Sequence, residues 1–167
     1  NLFSNIIAAL KSTSGEAFFN TLTLQLNECI EADYTFIARI DSELGVSRTI
    51  SLACKGCIAP NFSYELKNTP CADVTRESTC IFPENICRLF PDDLLLSEME
   101  IEGYVGSPLR SARGEVLGLV VALYVNPIKN AGFVKNLFEL FSGRISAEIE
   151  RTERENELET LNASLER

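Results

Sequence analysis

The sequence predicts an α+β domain: a central antiparallel sheet with the terminal helices on one face and, on the other, a pocket covered by short helices and loops. Three observations lead there. Apolar residues recur at helical spacing near both ends of the chain, two pairs of β-favouring runs lie between them, and a proline-broken stretch of about 45 residues separates the pairs. At 167 residues and 46% hydrophobic content, one core is the natural expectation.

Leu2, Ile6, Ile7 and Leu10 share a helical stripe, and Phe18, Leu22, Leu26, Cys29 and Ile30 repeat it over Gly15–Ile30, so two amphipathic helices open the chain. Over residues 32–41 the period changes, with Tyr34, Phe36, Ile37 and Ile40 in a β-favouring run. Asp41-Ser42-Glu43-Leu44-Gly45 supplies turn chemistry before a second run over residues 46–53, and the pair reads as a hairpin. Whether Phe36 or Ile37 faces the pocket is ambiguous, because both are apolar.

From residue 56 to 100 the periodicity dissolves, with Pro60, Pro70, Pro83 and Pro91 barring long helices and central strands. Long segments of this kind are often lids or binding loops. Short helices are expected at Pro70–Arg76 and residues 91–98, each opening with Pro and with Asp73 or Asp92 and Asp93 near the positive end, and a short strand at residues 79–82. Gly103–Arg110 and residues 115–126 form the second hairpin around Ser111-Ala112-Arg113-Gly114. The apolar run at residues 116–125 implies a strand covered on both faces. A helix follows Pro127, with Val134, Leu137, Phe138, Phe141, Ile145 and Ile149 as its stripe, and continues to Arg167, roughly 50 Å from residue 134 at 1.5 Å per residue. The stripe fades at Thr152 and Asn156 and returns as Leu158, Leu161 and Leu165, too thin for a globular core and suited to a coiled coil. Residues 1–150 are read as the domain, and 151–167 as the start of a coiled-coil linker.

The 24 acidic and 15 basic residues give a net charge of -9, and residues 148–167 hold seven Glu against three Arg. This balance argues against nucleic-acid binding and for a cytoplasmic setting. No apolar run approaches the roughly 20 residues of a membrane-spanning helix, so no membrane contact is expected. The start at Asn1, without Met or a signal-peptide layout, suggests a piece of a longer polypeptide.

Thr69-Pro70-Cys71, Phe90-Pro91-Asp92, Tyr104-Val105-Gly106-Ser107-Pro108-Leu109 and Gly114-Glu115-Val116-Leu117-Gly118 resemble the core signature of GAF (PAS-like) sensory domains. Val74, Asn126-Pro127-Ile128, Arg144 and Glu148-Ile149-Glu150-Arg151 extend the resemblance, which covers residues 18–151. It implies a non-enzymatic module of a bacterial sensor histidine kinase or diguanylate cyclase. Such a module binds a small molecule, pairs with a second copy through its terminal helices and signals through its exit helix. Phe36, Phe62, Tyr64, Cys71, Val74, Phe82, Phe90 and Tyr104 are the expected ligand-binding residues, with Arg39 and Thr79 as further polar candidates. No cofactor is implied: there is no His beside Cys71 for phytochrome-type bilin attachment, no His for haem, and no cyclic-nucleotide motif.

The six cysteines are expected as reduced thiols that pack as small buried hydrophobes. Cys54-Lys55-Gly56-Cys57 has a metal- or redox-type spacing, but zinc needs two further ligands. Readings set against the sensory one are a ligand-free dimerisation scaffold, a thiol-based redox sensor, and an enzyme resembling GAF-fold methionine sulfoxide reductases, which use pocket cysteines.

Overall fold

The computed structural model describes every residue except 1, 12, 77 and 167, and leaves the side chains of residues 2, 3, 9 and 76 undescribed. Helix α1 (Leu2–Lys11) and helix α2 (Gly15–Ile30) lead into strands β1 (Tyr34–Asp41) and β2 (Val46–Cys54). Asp41 Oδ1 accepts from the N–H groups of Glu43 (3.1 Å) and Leu44 (3.2 Å), the local bond that makes Asp a turn residue.

The proline-broken stretch is more ordered than its composition suggests. It holds β3 (Cys57–Ala59), β4 (Ser63–Glu65), α3 (Pro70–Arg76), β5 (Cys80–Phe82), α4 (Ile86–Leu89) and α5 (Leu94–Glu98). Strands β3 and β4 and helix α4 go beyond the sequence expectation. The helix expected from Pro91 begins instead at Leu94, where Asp93 Oδ1 accepts the Leu96 N–H (3.3 Å) and caps it. Strands β6 (Gly103–Arg110) and β7 (Val116–Tyr124) form the second hairpin, and α6 (Ala131–Leu165) closes the chain; the expected extension to Arg167 lies outside the described residues.

The two hairpins join through β1 and β7, giving the antiparallel order β3-β2-β1-β7-β6-β5, with β4 also paired to β2. Because β7 is central, both its faces are covered, as its unbroken apolar run requires. Alternation along the strands divides the core in two. Ile37, Val105, Leu109, Val120 and Ala122 face α1, α2 and α6 with Phe18, Leu22, Phe138 and Ile145, while Phe36, Leu52, Tyr104, Leu119, Val121 and Leu123 face the segment that carries α3, α4 and α5. Phe36 is therefore the pocket-facing residue and Ile37 the helix-facing one. Among the described residues no helix is long and apolar enough to cross a membrane.

Helix α6 is tied to the body at its middle. Glu148, 2% exposed, accepts the Gly15 N–H (3.3 Å) at the start of α2 and pairs with Arg151 (2.7 Å). Burial opposes its ionisation, but the Arg151 guanidinium and the Gly15 N–H outweigh it and hold the carboxyl below its usual range. One turn on, Glu153 pairs with Arg39 of β1.

Candidate functional site

Pocket-face side chains lie in register across the sheet. One row runs Cys57, Cys54, Tyr34, Leu123, Tyr104, Phe82, and the next runs Ala59, Leu52, Phe36, Val121, Gly106, Cys80. A cavity of about 30 Å³ sits over the middle of these rows, lined by Phe36, Tyr104 and Leu123 from the sheet, Phe62 and Tyr64 from the β3–β4 region, and Pro70, Cys71, Asp93, Leu95 and Leu96 from the lid. Space of this size accommodates a water molecule or two, far below the roughly 300 Å³ or more of a typical ligand site. Larger hollows, such as one of 450 Å³ at the β1–β2 turn and one of 600 Å³ beside Tyr124 and Pro127, are open surface depressions.

Cys71 is the hub. Pro70 opens α3 with a backbone angle already suited to a helix, which sets Cys71 inward against β6, 4% exposed. Tyr104 Oη donates to Cys71 Sγ at 3.0 Å and Tyr64 Oη donates to it at 3.2 Å. Burial pushes the Cys71 thiol up to about 11, and the two tyrosine hydroxyls offset only part of that rise. Burial also lifts Tyr64 and Tyr104 well above their ordinary range. The three groups are thus neutral near pH 7, and a protonated, buried thiol is a poor nucleophile. Asp93, at the cavity wall, has its carboxyl raised by burial, with the Leu96 and Leu95 N–H groups opposing the shift.

Around the hub, Phe36 meets Phe62 and Tyr64 edge-on at 6.2 and 6.1 Å, a favourable ring geometry. Of the residues singled out in the sequence, Phe36, Phe62, Tyr64, Cys71 and Tyr104 line the cavity. Val74 is fully buried behind Cys71 in the same core. Phe82 and Phe90 pack edge-to-face at 5.5 Å to one side, with Phe82 reaching Tyr104 at 6.1 Å. Asp93, Leu95, Leu96 and Leu123 also line the cavity and lie outside the sequence expectation. Asp93 was visible only as an acidic helix start, and Leu123 was one of many apolar residues in its strand.

Two polar candidates lie on the wrong side. Arg39 is odd-numbered in a strand whose even positions face the pocket, so its guanidinium reaches Glu153 and the Leu117 carbonyl on the α6 side. Thr79 Oγ1 bonds Ser107 Oγ (2.8 Å) and Glu139 of α6 (3.1 Å). The uniform burial expected of the cysteines also fails: Cys71 alone is buried, Cys57 is exposed, and the other four are half-buried, none in a disulfide. Among the described residues no group of three or more His, Cys, Asp or Glu is placed to hold a metal ion.

No protein-family profile matches the chain, and no curated protein matches it in sequence. Solved structures match it in fold. The GAF domain of an Acinetobacter phosphoenolpyruvate-protein phosphotransferase aligns with TM-score 0.74 at 16% identity, covering 93% of this chain and 95% of that one. The chromophore-binding domain of an unusual bacteriophytochrome from R. palustris aligns with TM-score 0.73 at 10% identity, covering 92% of this chain and 62% of that one. The corresponding domain of a Stigmatella aurantiaca bacteriophytochrome gives 0.71 at 12%, covering 89% and 59%. The chain thus spans about three fifths of these phytochrome domains. With its antiparallel sheet between terminal helices and a helical lid, the chain has the GAF fold.

Proposed function

We propose that this chain is a sensory module whose pocket face takes up a small molecule and whose long C-terminal helix passes the change in occupancy to an output unit. The observation that carries this reading is the hub of buried Cys71 and Tyr104 with half-buried Tyr64, held beside the Asp93 carboxyl around a cavity roofed by short helices. Aromatic walls with a few polar groups are the usual make-up of a binding site, and chromophore-binding domains share the fold. The occupant this lining suits is a ring-bearing molecule with a hydrogen-bond donor for Asp93 and an acceptor for a tyrosine hydroxyl.

At about 30 Å³ the closed cavity admits such a molecule only if Phe62 and α5 move outward. A ligand that binds the opened arrangement more tightly shifts the population toward it. The route outward runs through the sheet to α6, which is joined to α2 by Glu148 and to β1 by Arg39. Past Glu153, Leu158, Leu161 and Leu165 are exposed on one side of α6, which supports a linker over residues 151–167 that pairs with a second copy. Of the α1 stripe, Ile6 and Leu10 are buried in the domain core and Ile7 is 38% exposed, while the side chain of Leu2 lies outside the described residues. A bacterial cytoplasmic protein with a histidine kinase or diguanylate cyclase output, and no catalysis by this chain, completes the proposal on the resemblance of the sequence motifs.

Unfolding in the presence of a panel of aromatic metabolites tests it. A binder at one hundred times its Kd raises stability by about 2.7 kcal/mol, and Tyr104→Phe should shrink that gain. The small cavity favours one second reading, a ligand-free dimerisation scaffold, which a panel without effect on the wild-type chain would support.

A further inference from the structure

Cys54 and Cys57 face each other across a two-residue turn. Lys55 and Gly56 both have positive φ, 50° and 83°, the mark of the hairpin turn whose twist suits the flanking strands. Cys54 and Cys57 are the register partners that close this turn, and among the described residues no other two cysteines are paired in this way. Partners that close such a turn are a hydrogen-bonded pair with Cα atoms about 5.5 Å apart, inside the Cα range that a disulfide spans. Their Cβ atoms, also about 5.5 Å apart, must draw in by about 1 Å to bond, so the bond is a strained and readily reduced one. Cross-strand partners also project to the same face. Pairing with Leu52 and Ala59 one step along places both thiols on the pocket side, at the end of the row that runs through Tyr34 and Leu123 to Tyr104.

The turn is anchored from beneath. Asn27 of α2, 3% exposed, accepts the Gly56 N–H at 3.3 Å with Oδ1 and spends its Nδ2 on the Ala32 carbonyl (3.0 Å) and Thr35 Oγ1 (2.9 Å). The Lys55 N–H donates to the Asp33 carbonyl at 3.1 Å. These bonds fix the hairpin in the geometry that sets the thiols opposite each other. Cys57 is exposed and Cys54 half-buried, so a reagent arriving from solvent meets Cys57 first.

We infer that Cys54 and Cys57 form a thiol–disulfide exchange site whose substrate is a low-molecular-weight disulfide. Cys57 Sγ attacks as the thiolate. A new S–S bond forms to one half of the reagent while the reagent's own S–S bond breaks, and the departing half takes up the proton that Cys57 gave to solvent. Cys54 Sγ, deprotonated in turn, attacks Cys57 Sγ, closing the cross-strand disulfide and releasing the second half, which leaves as a thiol. Two protein thiols are oxidised to one disulfide and the reagent is reduced to two thiols. With Cys57 open to solvent, the bond is of the labile, reversible kind. This chemistry is separate from the Cys71 hub, so it holds or fails independently of ligand binding in the pocket.

Oxidised glutathione is the probe. The reduced chain is incubated with it, quenched with iodoacetamide and mapped by mass spectrometry. The expected result is the loss of two hydrogens and of two alkylatable thiols, confined to residues 54 and 57 and reversed by dithiothreitol. Cys54→Ser should stop at one glutathionyl group on Cys57. A wild-type chain that retains glutathione on Cys57 with Cys54 still alkylatable would overturn the inference, and so would an unmodified Cys57 in a sample where Cys29, Cys80 or Cys87 has reacted.

Discussion

Tyr104 lies along its own strand over Gly106, so closely that a Cβ at position 106 would stand 2.6 Å from the Tyr104 hydroxyl and 2.8 Å from its ring. The glycine is what lets the hydroxyl lie flat against the sheet and reach Cys71 Sγ. Gly106→Ala should therefore cost about 1–3 kcal/mol by overpacking, and Tyr104→Phe alone about 1 kcal/mol from the lost hydrogen bond. Because part of the clash is with the hydroxyl itself, the double variant should be less destabilised than the sum of the two. Urea unfolding of all three variants measures this coupling, and strictly additive costs would contradict it.

Alkaline pH should loosen the same hub. Unfolded, the Cys71 thiol titrates at its ordinary 9.0, and in the fold at about 11. The native state keeps a proton that the unfolded state releases, so stability is full below pH 9 and falls as pH rises toward 11, by about 3 kcal/mol across the window. Tyr64 and Tyr104, also raised, add their own losses above pH 10. Replacing Cys71 with Ala should flatten the decline between pH 9 and 10 and leave the steeper part above it, as read by urea midpoints against pH.

Acid should act on the other face of the sheet. Glu148 ionises more readily in the fold than its ordinary 4.5, so its contribution is present above that value and disappears as pH falls through the folded one. Glu148→Gln is expected to lose about 1–3 kcal/mol at neutral pH and to show a shallower acid slope than wild type. Equal slopes would remove Glu148 as the acid-sensitive clasp between α2 and α6.

The exposed leucines of α6 make a prediction about association. Leu158, Leu161 and Leu165 are 59%, 55% and 76% exposed, a seam that gains little unless it is covered. Removing residues 150–167 should weaken self-association about tenfold or more, measured by sedimentation. Equal, monomeric behaviour of both chains at high micromolar concentration would count against pairing through this helix.

What the sequence disclosed followed the length of its patterns. The helical stripes of α2 and α6 and the two long hairpins run for eight residues or more, enough turns or alternations to declare their period. Strands β3 and β4 have three residues each and α4 has four, too few for any period, and tertiary pairing with β2 rather than local preference makes β3 and β4 extended. Half of the site was legible for a similar reason. Cys71, Tyr104 and the clustered aromatics stand out by residue type, whereas Leu123 is distinguished only by which face of β7 it occupies. The misplacement of Arg39 has the same root: with Phe36 and Ile37 both apolar, nothing local said which parity was inward, and the register with β7 decided it.

The edges of the sheet have a consequence for how the molecule behaves in a crowded solution. Strand β2 is bordered on its outer side by β4 at residues 46–48 and by β3 at residues 52–54. On the opposite margin β5 covers residues 104–106 of β6, past which the short stretch 107–110 is interrupted by Pro108. Neither border presents a long unpaired row of amide and carbonyl groups to a neighbouring chain, which is the template that fibril growth requires. The short strands hidden in the proline-broken stretch thus act as end-stops, keeping the backbone of this molecule from recruiting another by strand addition.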